Sequence, residues 1–212
     1  MIDSNTVLLK PSEIDRASEI LAEAFKQDPM FRYLGIKTEQ EFRVDVNLLK
    51  WFCDLSLRNC IKYKYAYRSK NFEGVAIWIP PGKAEMTIWQ TLSMLFTLLK
   101  RCGWHRFKRC LSLFTALEKH HQAEMTEPHW LLSFVGVAPA YQGQGIGSLL
   151  LQPVLEQSDR EGFPCYLSTF TKQAVCFYQK HGFEILWQGE IFEGSPCVWT
   201  MRRKPRLQLS KA

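Results

Sequence analysis

Three alternating glycines, Gly143, Gly145 and Gly147, stand in the segment AYQGQGIGSL of residues 140–149. Glycine loses much backbone freedom on folding, so three glycines so close together need a structural reason. An apolar strand-like segment precedes them and a helix-like segment follows. A turn of this kind points backbone N–H groups into one concavity, and a helix start adds unpaired N–H donors and partial positive charge. The segment favours phosphate binding, and an ordinary turn is the alternative.

The two best-known phosphate loops do not match these residues. A dinucleotide loop has the spacing G-x-G-x-x-G and an acidic residue about twenty positions later. Here the glycines follow G-x-G-x-G, and the next strand, CYLSTF at 165–170, ends without an acid. A P-loop needs Gly-Lys-Ser or Gly-Lys-Thr, and no lysine follows these glycines.

Two longer motifs identify a family resemblance. VGVAPAYQGQGIGSLLL at 135–151 and AVCFYQKHGF at 174–183 resemble, in order, the cofactor-binding motifs of the GNAT superfamily of acyl-CoA-dependent N-acyltransferases. The resemblance extends loosely over most of the chain and is greatest to small-molecule members of the puromycin N-acetyltransferase type. It implies acetyl-CoA as cosubstrate, a small primary amine as acceptor, and direct attack of that amine on the thioester.

The resemblance also implies roles for individual residues. The strand end at 135–137 would pair with the pantetheine arm, the glycine loop would hold the pyrophosphate, and Thr171 would hydrogen-bond the cofactor. Tyr178 would protonate the departing thiolate, although without the motif it is more typical of a core tyrosine beside Phe177. The implied cofactor-binding residues are Val135, Gly136, Val137, Gln142, Gly143, Gln144, Gly145, Ile146, Gly147, Ser148 and Thr171.

The general base has no clear candidate in the sequence. Many family members carry a glutamate where this chain has Ser168, and serine is not an ordinary base. His129, Glu190 and Glu193 are possible bases, and water acting on a neutral amine is another. No His or Cys spacing indicates a metal site. An aromatic acceptor cleft would draw on Trp78, Tyr63, Tyr65 and Phe31, which core packing explains equally well.

The elements that would position these residues follow from periodicity. Strands are expected at 7–9, 61–67, 75–79, 129–137, 165–170, 183–192 and 197–203, and helices lie between them. Residues 84–125 predict two helices separated by Gly103, with Leu92, Phe96, Trp104 and Leu111 among their core-facing residues. The expected fold is α/β, a GNAT-like mixed sheet of six or seven strands with helices on both faces. We expect one domain over 1–212, with 84–125 as a helical insertion and 203–212 as a basic tail.

Composition limits the remaining possibilities. The chain has 212 residues, 46% of them hydrophobic, and a net charge of +6, which is typical of a globular protein. Seven scattered cysteines and no signal-like leader favour a cytoplasmic protein, which we expect to be a monomer or homodimer. No nucleic-acid or membrane partner is expected, because the apolar stripes of the basic segment 84–110 are typical of core-facing helices. Three other functions stay open. They are acetylation of a protein N-terminus or lysine, cofactor sensing without catalysis, and peripheral binding to nucleic acid or membrane through residues 84–110.

Overall fold

The computed structural model describes residues 6–37, 42–83 and 88–206. Residues 84–87 of the expected insertion and 207–212 of the expected basic tail lie outside this part. The strands are β1 (Thr6–Leu8), β2 (Ile36–Lys37), β3 (Phe42–Arg43), β4 (Ala66–Ser69), β5 (Gly74–Ile79), β6 (Trp130–Val137), β7 (Cys165–Thr169), β8 (Glu184–Glu190) and β9 (Cys197–Arg203). The helices are α1 (Ile14–Ala24), α2 (Pro29–Leu34), α3 (Val46–Cys60), α4 (Ile88–Glu124), α5 (Ile146–Glu161) and α6 (Lys172–Lys180).

Within the described residues, seven of these strands form one mixed sheet. Their order is β1-β4-β5-β6-β7-β9-β8, and β2 pairs separately with β3. Every neighbouring pair in the large sheet is antiparallel except β6 and β7, which run parallel. The glycine segment and α5 form the crossover between these two parallel strands, as such connections require. The mixed sheet expected from the sequence is confirmed.

Strand β5 shows why helices cover both faces of the sheet. All six of its residues are buried. Val75 and Ile77 pack in a core with α1, α3 and α4, whereas Ala76 and Trp78 pack in a second core with α5 and α6. Side chains alternate between the faces of a strand, so a continuous apolar run implies a layer on each side. Trp78 therefore packs in the core that contains α5 and α6, whereas Phe31 packs in the core on the opposite face of the sheet.

One local expectation in the N-terminal half was wrong. The expected strand at 61–67 begins only at Ala66, because Ile61–Tyr63 form a 3-10 turn and Lys64 has a left-handed backbone with φ of 62°. The residues IKYKYAY alternate strictly, but α3 continues to Cys60 directly before them and decides their backbone conformation.

The long helix α4 changes direction near its middle. Gly103 has φ of 70° and ψ of 173°, which is not helical, so two helical segments meet at this residue. The expected break at Gly103 is confirmed. The expected burial is confirmed only in part. Leu92, Phe96, Trp104 and Leu111 are exposed, whereas Phe107, Phe114 and Leu117 of the second segment pack against the core. Leu98, Cys110 and Leu113 also face the core.

Candidate functional site

A cleft opens where β6 and β7 separate. Strand β6 pairs with β5 as far as Val137, opposite Gly74. With β7 it pairs at only two positions, Trp130 with Cys165 and Leu131 with Tyr166. The register of β6 against β5 also shifts between Phe134 and Leu132, so Ser133 forms a bulge at the start of the opening. The remaining length of β6 therefore borders a gap rather than a strand.

The backbone of β6 offers hydrogen-bonding groups to this gap. The Ala138 N–H donates to the Glu73 carbonyl at 2.8 Å, so Ala138 is directed towards the β5 side. Because direction alternates along a strand, Gly136 also faces β5, and Val135 and Val137 face the gap. The Val137 carbonyl accepts a hydrogen bond from Gln142 Nε2 at 3.0 Å across the mouth of the cleft. Of the three predicted strand residues, Val135 and Val137 are thus the ones placed to bind a ligand backbone.

Gly136 has a packing role that the sequence did not indicate. A Cβ at this position would lie 2.9 Å from Ala24 Cβ and 3.0 Å from Leu21 Cδ2. Real Cβ atoms do not approach other atoms this closely, so glycine is what allows the end of α1 to rest on β6. This contact brings the segment after α1 to the edge of the cleft.

The glycine loop has the geometry that an anion site needs. Gly143 and Gly145 have φ of 79° and 82°, a left-handed conformation that favours glycine. They lead into α5. The first backbone hydrogen bond of this helix runs from the Leu149 N–H to the Gly145 carbonyl at 3.1 Å. The three earlier N–H groups, those of Ile146, Gly147 and Ser148, have no acceptor within the helix, as is usual at a helix start. The alternating glycines therefore shape a loop with N–H donors at a helix start, which suits a phosphate.

Gly147 and Ser148 connect this loop to α6. A Cβ on Gly147 would lie 3.1 Å from Phe177 Cζ, so glycine lets the ring close over the first turn of α5. Ser148 Oγ lies 2.9 Å from His181 Nε2, within hydrogen-bond distance. Both contacts fix α6, and with it Tyr178, relative to the loop.

Tyr178 lies inside the molecule next to the cleft. Its side chain is 8% exposed and packs against Phe177 and Phe183. Burial raises the pKa of the phenol well above its usual value, and the charge of Asp28 raises it further. The phenol is therefore a proton donor near neutral pH. Thr171, the other predicted residue on this helix, caps α6 by accepting the Ala174 N–H at 3.2 Å.

Asp28 is a site residue that sequence reasoning missed. Its Oδ1 accepts the Met30 N–H at 2.8 Å, which makes it the N-cap of α2. Burial raises the pKa of this carboxyl from 3.8 to about 6, although backbone N–H bonds act in the opposite direction. A carboxylate with this pKa is suited to accept a proton near neutral pH. The available signal was an Asp before a Pro that begins a second helix.

An aromatic cluster joins the segment that carries Asp28 to strand β6. Phe134 of β6 contacts Phe25 with ring centroids 5.5 Å apart and stacks on Phe31 at 6.4 Å. Phe25 and Phe31 flank Asp28 in the chain and touch each other at 5.9 Å. Of the four aromatic residues considered in the sequence analysis, Phe31 is the one placed here. Tyr65 packs against Trp130, and Tyr63 belongs to the 3-10 turn.

The base candidates named from the sequence occupy other positions. His129 precedes β6, at the end where β6 and β7 are paired, and its Nε2 lies 2.6 Å from His121 Nε2. Burial lowers the pKa of His129. Glu190 accepts the Gly194 N–H at 3.0 Å and shapes the β8–β9 turn, in which Glu193 is exposed. Ser168 pairs with Thr200 of β9.

A cavity of about 520 Å³ begins at the glycine loop, and Gln144, Gly145 and Ser148 line it there. Its charged lining residues are Lys180, Arg203, Arg206, Glu156 and Asp159, and Asp159 is paired with Arg203 at 2.7 Å. Burial lowers the pKa of His181, and the nearby Arg203 and Arg206 lower it further, so cationic groups already surround this imidazole. Such a cavity next to unpaired helix N–H groups suits a polyphosphate ligand. Among the described residues, no group of three His, Cys, Asp or Glu side chains is arranged to hold a metal ion.

Comparison with known proteins connects this geometry to a domain family. Residues 110–185 match the model described as an acetyltransferase (GNAT) domain. The chain is 26% identical over 191 residues to an uncharacterized N-acetyltransferase of Schizosaccharomyces pombe, covering 87% of this chain and 75% of that protein. It is also 24% identical over 196 residues to a probable serine/threonine-protein kinase of Dictyostelium discoideum, covering 84% of this chain. The chain spans only 20% of the length of that relative.

Solved structures show the fold directly. A histone acetyltransferase HPA2 and related acetyltransferase from Corynebacterium glutamicum superposes with a TM-score of 0.62 at 18% identity, covering 97% of this chain and 98% of that one. Arylalkylamine N-acetyltransferase 2 from Aedes aegypti gives a TM-score of 0.64 at 14% identity, covering 95% and 98%. The chain therefore has the fold of the GNAT N-acetyltransferases, and its residues 110–185 match their domain model.

Proposed function

We propose that this chain is an acyl-CoA-dependent N-acetyltransferase that moves an acetyl group from acetyl-CoA to the primary amine of a small molecule. The observation that carries the proposal is that β6 leaves most of its length unpaired with β7 and is followed directly by the glycine loop at the start of α5. Tyr178, whose phenol pKa responds to the charge of Asp28, lies on α6, which Phe177 and His181 join to the first turn of α5. The match of residues 110–185 to the acetyltransferase domain model supports the same reaction.

The cosubstrate would be held along the cleft by backbone groups. Val135 and Val137 would pair with the amides of the pantetheine arm as an added strand does. The N–H groups at the start of α5 would bind the pyrophosphate, and Lys180 and Arg206 of the adjoining cavity would take further phosphate charge. Acetyl-CoA, when bound, supplies the activated acyl group as a thioester.

Asp28 and Tyr178 would move the protons. The Asp28 carboxylate attracts the ammonium form of the acceptor and takes one proton from it, which leaves a neutral amine with a free electron pair. This nitrogen then attacks the carbonyl carbon and releases its second proton to solvent. The new C–N bond forms as the C–S bond breaks. Tyr178 donates its proton to the departing sulfur, and solvent exchange returns both groups to their starting states. A Val135 N–H facing the cleft would stabilise the negative charge on the carbonyl oxygen.

The acceptor class follows from the walls around Asp28. Phe25 and Phe31 flank Asp28 in the chain and form one aromatic cluster with Phe134. We therefore expect a short amine with an aromatic or apolar body to fit better than a polar peptide. The arylalkylamine N-acetyltransferase of Aedes aegypti shares this fold and is named for amines of that class. The finer resemblance to puromycin N-acetyltransferases stays a prediction, as does a cytoplasmic location.

Calorimetric titration with acetyl-CoA, with NAD as the control ligand, tests the cofactor assignment first. Binding of acetyl-CoA alone is expected, and equal heats from both ligands, or from neither, would contradict it. A thiol-release assay then compares phenethylamine, agmatine and a peptide with a free N-terminus. The aromatic amine is expected to react fastest. Preference for the peptide would favour protein acetylation, and cofactor binding without turnover of any amine would favour a sensor.

A further inference from the structure

One face of the first segment of α4 exposes large apolar side chains. Trp89 is 77% exposed, Leu92 50% and Phe96 60%. Their spacing, i, i+3 and i+7, places all three on the same side of the helix. Leu98, which faces the opposite direction, is buried in the core. The segment thus has an apolar inner face that packs and an apolar outer face that meets solvent.

The segment after Gly103 repeats this arrangement. Trp104 is 57% exposed and Leu111 38%, whereas Cys110 and Leu113 are fully buried. We call the exposed side chains of both segments the α4 outer face. Its apolar members are Trp89, Leu92, Phe96, Trp104 and Leu111.

The charge on this part of the chain has one sign. Residues 88–117 contain five Lys or Arg and no Asp or Glu. Lys100 lies over the ring of Phe96 at 4.3 Å, and Lys108 lies 5.7 Å from the ring centroid of Trp104. Arg106 is neutralised by Asp45 of α3 at 3.0 Å. Lys100 and Lys108 therefore place positive charge directly against the exposed rings.

This combination matches the surface of an anionic membrane. Helices that lie in a bilayer interface present Trp, Phe and Leu beside Lys and Arg, whose long stems let the charge reach the headgroups. A second copy of the chain would bring two positive faces together, which is unfavourable. Nucleic acid would use the rings and the lysines, but the exposed Leu92 and Leu111 offer no stacking surface.

We propose that the α4 outer face docks this protein peripherally onto anionic phospholipid bilayers. No helix in the described residues is long and apolar enough to cross a membrane, so the contact is with the surface. No membrane partner was expected from the sequence, because periodicity predicted that these apolar side chains would face the core. Docking is independent of the proposed acetyl transfer and does not depend on its success.

Vesicle co-sedimentation tests the proposal. The whole protein is expected to bind vesicles of phosphatidylcholine with 30% phosphatidylserine at least tenfold more tightly than pure phosphatidylcholine, and binding should weaken with salt. The double variant Trp89→Ser, Phe96→Ser is expected to lose at least tenfold in affinity. Ile36→Ser, Ile185→Ser removes exposed apolar side chains from β2 and β8 and should bind normally.

A second pair of variants isolates the charge. Lys100→Glu, Lys108→Glu should lose at least tenfold, whereas Lys70→Glu, Lys172→Glu changes the net charge equally at exposed lysines outside α4 and should lose less than threefold. Thermal melting confirms that each variant is folded. Equal loss in both pairs would overturn the proposal in favour of a nonspecific charge effect.

Three other results would also overturn it. They are absence of vesicle binding, binding of single-stranded RNA in its place, and a dimer by light scattering that the Trp89→Ser, Phe96→Ser variant dissociates.

Discussion

Asp28 sets the expected pH dependence of the proposed reaction at the level of one residue. Its pKa in the folded protein is about 6, and only the ionised carboxylate can accept a proton. With both substrates saturating, kcat is expected to be level above this pH and to fall about tenfold per unit below it. Initial rates of thiol release between pH 5 and 9 measure this profile.

The variant Asp28→Asn assigns the inflection to this residue. Asparagine caps a helix as well as aspartate does, so α2 is retained while the base is lost. We expect kcat to fall roughly 10²–10⁴-fold and the step near pH 6 to vanish. Asp45→Asn, which changes the cap of α3, is the matched control and should keep the wild-type profile. A step that persists in Asp28→Asn would point to another group, with His129 the first to examine.

Tyr178→Phe separates a catalytic phenol from a packing residue. Phenylalanine keeps the contacts with Phe177 and Phe183 but cannot donate a proton to sulfur. We expect kcat to fall about 10²–10⁴-fold while the Kd for acetyl-CoA changes less than about threefold. Steady-state rates and calorimetry on the same preparation give both numbers. Comparable losses in rate and affinity would mark Tyr178 as structural, and an unchanged rate would exclude it as the acid.

At the scale of one element, both ends of α5 carry a glycine that allows a matched test. Gly145 before the helix and Gly162 after it have φ of 82° and 76°, and open space surrounds the Cβ position of each. Valine at either site imposes similar backbone strain. Gly145→Val is expected to weaken acetyl-CoA binding about a hundredfold or more, since its loop holds the phosphate donors. Gly162→Val should bind normally by calorimetry, and equal weakening in both would mean that strain, not the loop, controls affinity.

The elements that the sequence predicted well are those with a strong local signal. Strand β5 is a continuous apolar run ended by Pro80-Pro81, and α6 is preceded by a Thr cap and followed by Gly182, so local chemistry was sufficient. The alternation of residues 61–67 was misleading because the end of α3 decides their backbone. Periodicity also could not tell which apolar stripe of α4 is covered, because covering depends on distant elements.

At the scale of the whole molecule, the candidate site joins parts of the chain that are far apart. Asp28 follows α1, the β6 edge and loop occupy residues 135–148, and Tyr178 lies on α6. The β6 edge and its loop were predicted from one motif and Tyr178 from a second motif, because both resemble the cofactor-binding segments of a known family. Asp28 was not predicted. Its position depends on the packing of α1 over Gly136, and its raised carboxyl pKa depends on burial in the folded protein.

The raised pKa of Asp28 also has a consequence for the stability of the whole fold. An unfolded chain would titrate this carboxyl near 3.8, and the folded chain titrates it at about 6, so the folded state binds the proton more tightly. The contribution of Asp28 to the free energy of unfolding is therefore most favourable below pH 3.8 and is lost as the pH rises through 6. Above that pH the buried charge costs about 3 kcal/mol, which is the difference of about two pKa units.

Asp28→Asn should accordingly make the protein more stable while it removes activity. Asparagine carries no charge and keeps the cap, so the free energy of unfolding at pH 8 is expected to rise by ~1–3 kcal/mol, with little change at pH 4. Urea unfolding at both pH values measures the difference, and Asp45→Asn should show no such gain because it also breaks the ion pair with Arg106. If Asp28→Asn is less stable than the wild type at pH 8, the folded protein stabilises the ionised Asp28 carboxylate rather than destabilising it. A base held ionised at a cost to folding is retained for its chemistry, so a gain in stability together with a loss of rate would tie Asp28 to function.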